Sequence, residues 1–249
     1  MSSLIDLGEK FDDYTRAARV YPALITILPI FLTSISIIDG IVIEILWPLL
    51  ASVGFVYLLS HIARSLGKRL EHKLIHDWNG IATTHLLRYA ETDNKPLLNL
   101  YHTQLAQFAP AISIPTRAQE LRSPDTADKS YIAAVKLLSS YVRERKKEYP
   151  RVHEEVISYG FRRNLLGLKA IAISALIAST LLQLSVCFID KFSALRVCCI
   201  VLQIIMIAFW ITIVNPSWVY QAAELYAARL FDALNEITKK DAEQESNRQ

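Results

Sequence analysis

Positions free of Asp, Glu, Lys and Arg gather into four long blocks, 20–38, 45–63, 170–189 and 197–223. Each reaches the roughly 20 residues a helix needs to cross the bilayer core at about 1.5 Å per residue. A helix of a soluble core rarely stays apolar all round for that length. The pattern therefore predicts an all-α integral membrane protein, with four transmembrane helices as two hairpins and a helical cytoplasmic domain inserted between them. The expected divisions are an N-terminal segment at 1–19, a first hairpin at 20–63 and a helical insert at 64–165. A second hairpin at 166–216 and a C-terminal amphipathic helix and tail at 217–249 complete the chain. The polar, acidic start has no short apolar core followed by a cleavage site, so the first span is expected to stay.

Within the insert, Ile62, Leu66, Leu70 and Leu74 recur every four residues, and the second span is expected to run on as a helix to about His76. Asp77-Trp78-Asn79-Gly80 breaks it, and Thr83-Thr84 offers an N-cap for a short helix through Tyr89. Leu98, Tyr101, Leu105 and Phe108 share one face of a helix over 97–108, with Pro96 in its first turn. Pro110, Pro115 and Pro124 make 109–128 a loop, with room for one helical turn around 117–121. A longer helix over 126–147 would bury Tyr131, Ala134, Val135, Leu138 and Val142. Residues 152–165 read as a helix leading into the third span. Asn215-Pro216-Ser217 interrupts the helix of the last apolar block, and Leu225, Ala228, Phe231, Leu234 and Ile237 mark a terminal amphipathic helix.

Composition supports an ordered membrane chain: 52% of the 249 residues are hydrophobic and only 20% charged, below the roughly 25% of soluble domains. Charge adds an orientation. Arg16 and Arg19 precede the first span, Arg64, Lys68, Arg69 and Lys73 follow the second, and Arg162, Arg163 and Lys169 precede the third. The first hairpin turn carries Asp39 and Glu44 with no base, and the second is only a few residues long. By the positive-inside rule both termini and the insert are expected on the cytoplasmic side of the membrane. Residues 64–165 hold 17 bases against 11 acids, and most of that excess hugs the membrane.

Catalytic patterns are missing: there is no Gly-rich phosphate loop, nucleophile elbow, CxxC or HExxH, and the chain is read as a non-enzyme with no cofactor. Cys187, Cys198 and Cys199 read as small apolar packing residues rather than ligands. His72 and His76, spaced i, i+4, lack a third ligand and read as solvated or pairing histidines beside Asp77.

Two motifs can bind a ligand. In Trp78-Asn79-Gly80 with Thr83, Thr84 and Arg88, the tryptophan can stack on a base, the threonines can take a phosphate, and Arg88 supplies charge. An ordinary helix break, with Trp78 in the core and a threonine capping, explains the same residues. Tyr159-Gly160-Phe161-Arg162-Arg163-Asn164 can grip a nucleotide through Arg162 and Arg163, or can be a membrane-interface anchor of snorkelling arginines and aromatics. Gln183 and Gln203 inside the apolar blocks, and Glu44 at the outer edge of the second, are costly polar residues that must face protein or water, as pore or packing residues, and Glu44 can instead sit among the lipid headgroups. Four thin spans build a pore most readily by forming a homo-oligomer.

The order of features, two spans, a helical insert with these two motifs, then two more spans, resembles membrane effectors of bacterial nucleotide-signalled anti-phage systems. That resemblance implies an oligomeric ion channel in the lipid bilayer of a bacterial inner membrane, opened by a nucleotide or short single-stranded DNA ligand that a partner nucleotidyltransferase makes, and depolarising the infected cell. Two other classes stay open. A transporter would carry broken helices at matching positions in the two halves, and Pro29 and Pro48 have no clear counterparts in the second. A non-conducting scaffold needs only an exposed surface.

Overall fold

The structure is a computed structural model that describes residues 13–37, 53–189 and 193–246. Those residues form eight helices and no sheet: α1 (Asp13–Ile37), α2 (Val53–Asp77), α3 (Lys95–Phe108), α4 (Arg117–Arg122), α5 (Pro124–Glu144), α6 (Pro150–Ile189), α7 (Ala194–Thr212) and α8 (Pro216–Ser246), with one isolated helical turn at Ala82–His85. Helices α1, α6 and α7 are long and apolar enough to cross a membrane. Of the expected second span, 45–52 lies outside the described residues, and 53–63 forms the first part of α2.

Local sequence explains most boundaries. Asn94 caps α3 by accepting from the Leu97 N–H at 3.1 Å, with Pro96 in the first turn. Thr116 and Gln119 form a reciprocal capping box that starts α4 inside the expected loop. Pro124 then opens α5 two residues earlier than the pattern predicts, because proline tolerates a first helical turn where its missing N–H costs nothing. That helix ends at Glu144, so Lys146 and Lys147 lie beyond it rather than in its last turn. The last apolar block is divided as the Asn-Pro pair predicts: α7 stops at Thr212, and Asn215 Oδ1 accepts from the Trp218 N–H at 2.9 Å at the start of α8.

The helices partition into two compact units, 1–74 with 157–219 and 75–156 with 220–249, and the division falls within α2, α6 and α8. In the first unit Ala63, Leu165, Leu168, Ala172, Leu176, Trp210 and Val214 make a buried core. Backbones come close there. A Cβ on Gly167 would stand 2.7 Å from the Gly67 backbone nitrogen, and one on Gly67 would overlap the Asn164 side chain. Small residues at such crossings let dispersion and hydrogen bonds hold helices that lipid gives no hydrophobic reason to associate. Asn164, fully buried, donates from Nδ2 to the Ala18 carbonyl at 2.6 Å. That carbonyl belongs to a widened, π-type turn over Arg16–Val20, in which the Tyr21 N–H reaches back to the Arg16 carbonyl.

The second unit is built on α3, α5 and α8. Tyr131, Ala134, Val135, Leu138 and Val142 are all buried as the helical spacing predicts, and Tyr101 stacks on Phe231 with centroids 4.4 Å apart. Helix α8 packs through a face rotated from the expected one. Ala227, Leu230, Phe231, Leu234 and Ile237 are buried, whereas Leu225 and Ala228 are exposed. Alanines at 222, 223, 227 and 233 read as neutral in a hydrophobic pattern, yet they decide the seam by letting α8 sit close.

Two buried polar groups brace this unit. Glu120 accepts the Tyr89 N–H at 2.9 and 3.2 Å on its two oxygens and the Tyr131 hydroxyl at 2.8 Å. His102 donates from Nε2 to the Leu87 carbonyl at 2.8 Å and accepts at Nδ1 from the Tyr89 hydroxyl at 3.1 Å, an arrangement that needs the neutral ring. Burial lowers its pKa, against the opposing pulls of the Leu87 carbonyl and the Glu120 charge.

Two outcomes follow from this packing. Gly167→Val should destabilise the protein in detergent by at least about 1–3 kcal/mol, the usual cost of overpacking, read as the loss in denaturation midpoint relative to Ile177→Val on an exposed face. Because the folded His102 binds its proton less readily than the unfolded one, its contribution to stability is intact above about pH 6.5 and is lost as pH falls below that value. His102→Gln should flatten the pH dependence of the melting temperature between about pH 7 and 5; an unchanged slope would place the titration elsewhere.

Candidate functional site

Helix α2 ends in a pair of backbone bonds, Gly80 N–H to the Ile75 carbonyl at 2.9 Å and Asn79 N–H to the His76 carbonyl at 3.0 Å. This is a Schellman stop, in which the residue after the C-cap must take a left-handed conformation. Asn79 does so at φ 59°, a region that asparagine tolerates better than most residues. Gly80 follows at φ 139°, and a Cβ there would stand 2.8 Å from the Arg88 guanidinium. The Trp78-Asn79-Gly80 signature is thus first a helix terminator.

The half-buried Trp78 ring packs against Tyr220 with centroids 5.0 Å apart and planes at 58°. His85 meets the same tyrosine edge-on at 6.2 Å. Thr83 and Thr84 lie inside the helical turn, 4% and 1% exposed, and the cap position falls to Ile81, so neither threonine caps as the sequence suggests. Thr84 Oγ1 and His85 Nε2 are buried without a hydrogen-bond partner. His85 Nδ1 pairs with Glu91.

Arg88 makes a two-pronged bond to Asp128 of α5, 3.0 Å from Nε and 2.5 Å from Nη2, and a third contact of 2.6 Å from Nη1 to Glu91. Hydrogen bonding to Asp128, ahead of the two carboxylate charges, raises its pKa against the opposing effect of burial. An anion seeking this guanidinium has to displace two carboxylates.

The arginines of the second motif are engaged too. Arg162 donates to the Trp218 carbonyl at 2.9 Å and lies over the Trp218 ring, 4.9 Å from its centre. Arg163 bonds Glu71 of α2 at 2.8 Å, and the Tyr159 hydroxyl donates to the same carboxylate oxygen at 2.8 Å. Lys169, a turn and a half further along α6, donates to the Val214 carbonyl at 2.7 Å beyond the end of α7.

In the apolar helices, Gln183 and Gln203 are both fully buried. Gln203 donates to Thr33 Oγ1 at 3.0 Å and to the Pro29 carbonyl at 3.1 Å, and accepts from Thr180 at 3.0 Å. Gln183 also donates to Thr33 Oγ1 at 3.0 Å, leaving its own carbonyl oxygen buried and unpaired. Four polar side chains thereby tie α1, α6 and α7 together. Glu44 lies outside the described residues.

No group of three or more metal-ligating side chains occurs among the described residues, and the exposed His76 lies 3.6 Å from Asp77. No protein-family model, curated protein or solved structure matches the chain.

Pattern reading names the arginines but not their partners. Glu71, Asp128 and Thr33 sit 92, 40 and 150 residues from Arg163, Arg88 and Gln183, and no local spacing marks such pairs. Gly67 and Gly167 are two of the four glycines on α2 and α6, and the sequence pattern does not mark them as the pair that meets. Arg88→Met should cost about 1–3 kcal/mol, below the figure for a fully buried pair because Asp128 is partly exposed. Arg88→Met with Asp128→Leu should recover part of that loss, measured as a double-mutant cycle of chemical denaturation.

Proposed function

We propose that the chain is a multi-pass membrane effector, a ligand-gated ion channel whose helical unit senses a nucleotide or short oligonucleotide and whose apolar helices conduct as a homo-oligomer. The observation that carries the reading is the ionic and amide network at the polar end of the apolar stretch of α6. There Arg163, Tyr159 and Glu71 form one cluster, and Asn164 holds the α1 backbone. Charged, largely buried contacts at that position are expensive to keep and expensive to half-break, which suits a junction with two discrete arrangements. The resemblance to effectors of nucleotide-signalled anti-phage systems supplies the signal class and the partner nucleotidyltransferase. Under this reading Arg162 and Arg163 position helices, and ligand contact falls to the Trp78, Tyr220, Thr84 and His85 cluster, with its unpaired polar atoms.

Oligomerisation is part of the proposal for a physical reason. Gln183 and Gln203 point at Thr33 within one copy, so a polar path requires either surfaces between copies or a rearranged bundle. The same internal pairing favours the second reading, a non-conducting membrane scaffold.

Membrane potential separates them. The chain is expressed in bacteria with a voltage-sensitive dye, with and without a co-expressed nucleotidyltransferase. The channel reading expects depolarisation with the enzyme, and at least a severalfold change in its extent in Glu71→Gln at equal membrane abundance. An unchanged potential in all strains, with the protein confirmed in the membrane, favours the scaffold.

A further inference from the structure

A cleft of about 310 Å3 opens in the unit formed by 75–156 and 220–249, at the low end of the size range of small-molecule pockets. One wall is the N-cap and first two turns of α5, where Ser123, Thr126 and Ser130 follow at spacings of three and four residues. Ser113, Pro115 and Arg122 contribute to the rest. The floor is apolar, from the buried Pro115 and the alanine between the hydroxyls, and the rim is polar.

Arg122 differs from Arg88 and Arg163. Those two face carboxylates, whereas among the described residues no carboxylate pairs with Arg122. Its charge is exposed and open to an external partner. The Ser123 and Thr126 hydroxyls share one bond of 2.9 Å, which leaves one of their two protons free alongside those of Ser113 and Ser130. Backbone N–H groups are not the attraction. Pro124 has none, and those of Thr126 and Ala127 return to the Ser123 carbonyl at 3.2 and 3.1 Å.

We propose that this cleft binds a phosphate monoester with a compact apolar body, the phosphate held by Arg122 and the hydroxyls of Ser113, Thr126 and Ser130, the body lying on Pro115. A guanidinium beside several hydroxyl donors suits the three terminal oxygens of a phosphate better than the two of a carboxylate. The proposal is independent of whether the chain conducts ions.

The test is isothermal titration calorimetry of the full chain in detergent micelles with phenyl phosphate, benzoate and inorganic phosphate. Phenyl phosphate should bind at least tenfold more tightly than benzoate and more tightly than inorganic phosphate. Arg122→Ala should weaken it at least tenfold, and Ser130→Ala severalfold, with Arg143→Ala, an exposed base elsewhere on α5, as the unchanged control. Arg122 is exposed, so its variant should keep the wild-type melting temperature, which checks that lost binding is not lost folding. Absent binding at millimolar phenyl phosphate, equal binding by Arg122→Ala, or a preference for benzoate would overturn the proposal.

Discussion

The buried side chain of Asn164 sets the terms for the unit that holds the apolar helices. An amide with no exposure must find partners, and it finds the Ala18 carbonyl on α1 and the neighbouring Arg163 guanidinium. It can do so only because Gly67 of α2 has no side chain where the Asn164 oxygen lies. One steric allowance thus fixes three helices at once. The hydrogen bond holds α1 at its widened turn, the missing Cβ admits α2, and the same closeness recurs one turn along where Gly167 meets the Gly67 backbone. In lipid, where burying another leucine gains little, such contacts specify which helices meet.

A second polar knot, at Thr33, follows the same rule deeper in the apolar helices. Pro29 lies four residues before Thr33, and its carbonyl accepts both the Thr33 hydroxyl at 2.9 Å and the Gln203 amide. Thr33 can then accept from both glutamines. The cost of a polar side chain in hydrocarbon is met by concentrating four of them at one crossing. The leftover is the Gln183 oxygen, an unpaired buried acceptor, and bundles with an unsatisfied polar atom have a reason to adopt another arrangement.

How much of this was legible follows from the range of each interaction. Helix length and apolar run come from neighbours within a few residues, so α3 and α5 end within about three residues of their expected bounds, and the terminator after Asp77 and the Asn215-Pro216 break stand where the pattern puts them. The seam of α8 was misread because alanine carries little weight in a hydrophobic pattern, although close packing selects it. Thr83 and Thr84 suggested capping, but burial against the rest of the unit places them inside the turn instead. The three arginines of interest were recognisable as chemistry and not as geometry. Whether Arg88 is free or clamped depends on Asp128, which only the fold brings beside it.

That distinction bears on how a signal could act. A charge already satisfied by Asp128 or Glu71 contributes little new attraction to an arriving anion, because the ligand must replace a charge-assisted carboxylate bond of similar strength, two-pronged at Asp128 and single at Glu71. It contributes much more to bistability. Pulling Arg163 from Glu71 leaves a buried guanidinium unpaired beside a partly exposed carboxylate, so positions of α6 that break the pair are disfavoured. A ligand shifts such an equilibrium only by the difference in its affinity for the two states. Recognition is therefore better placed on groups that are unengaged at rest, such as Arg122 or the buried Thr84 hydroxyl, and switching on the pairs that are engaged. Under the proposed channel reading, gating draws on this division of labour between free and paired polar groups.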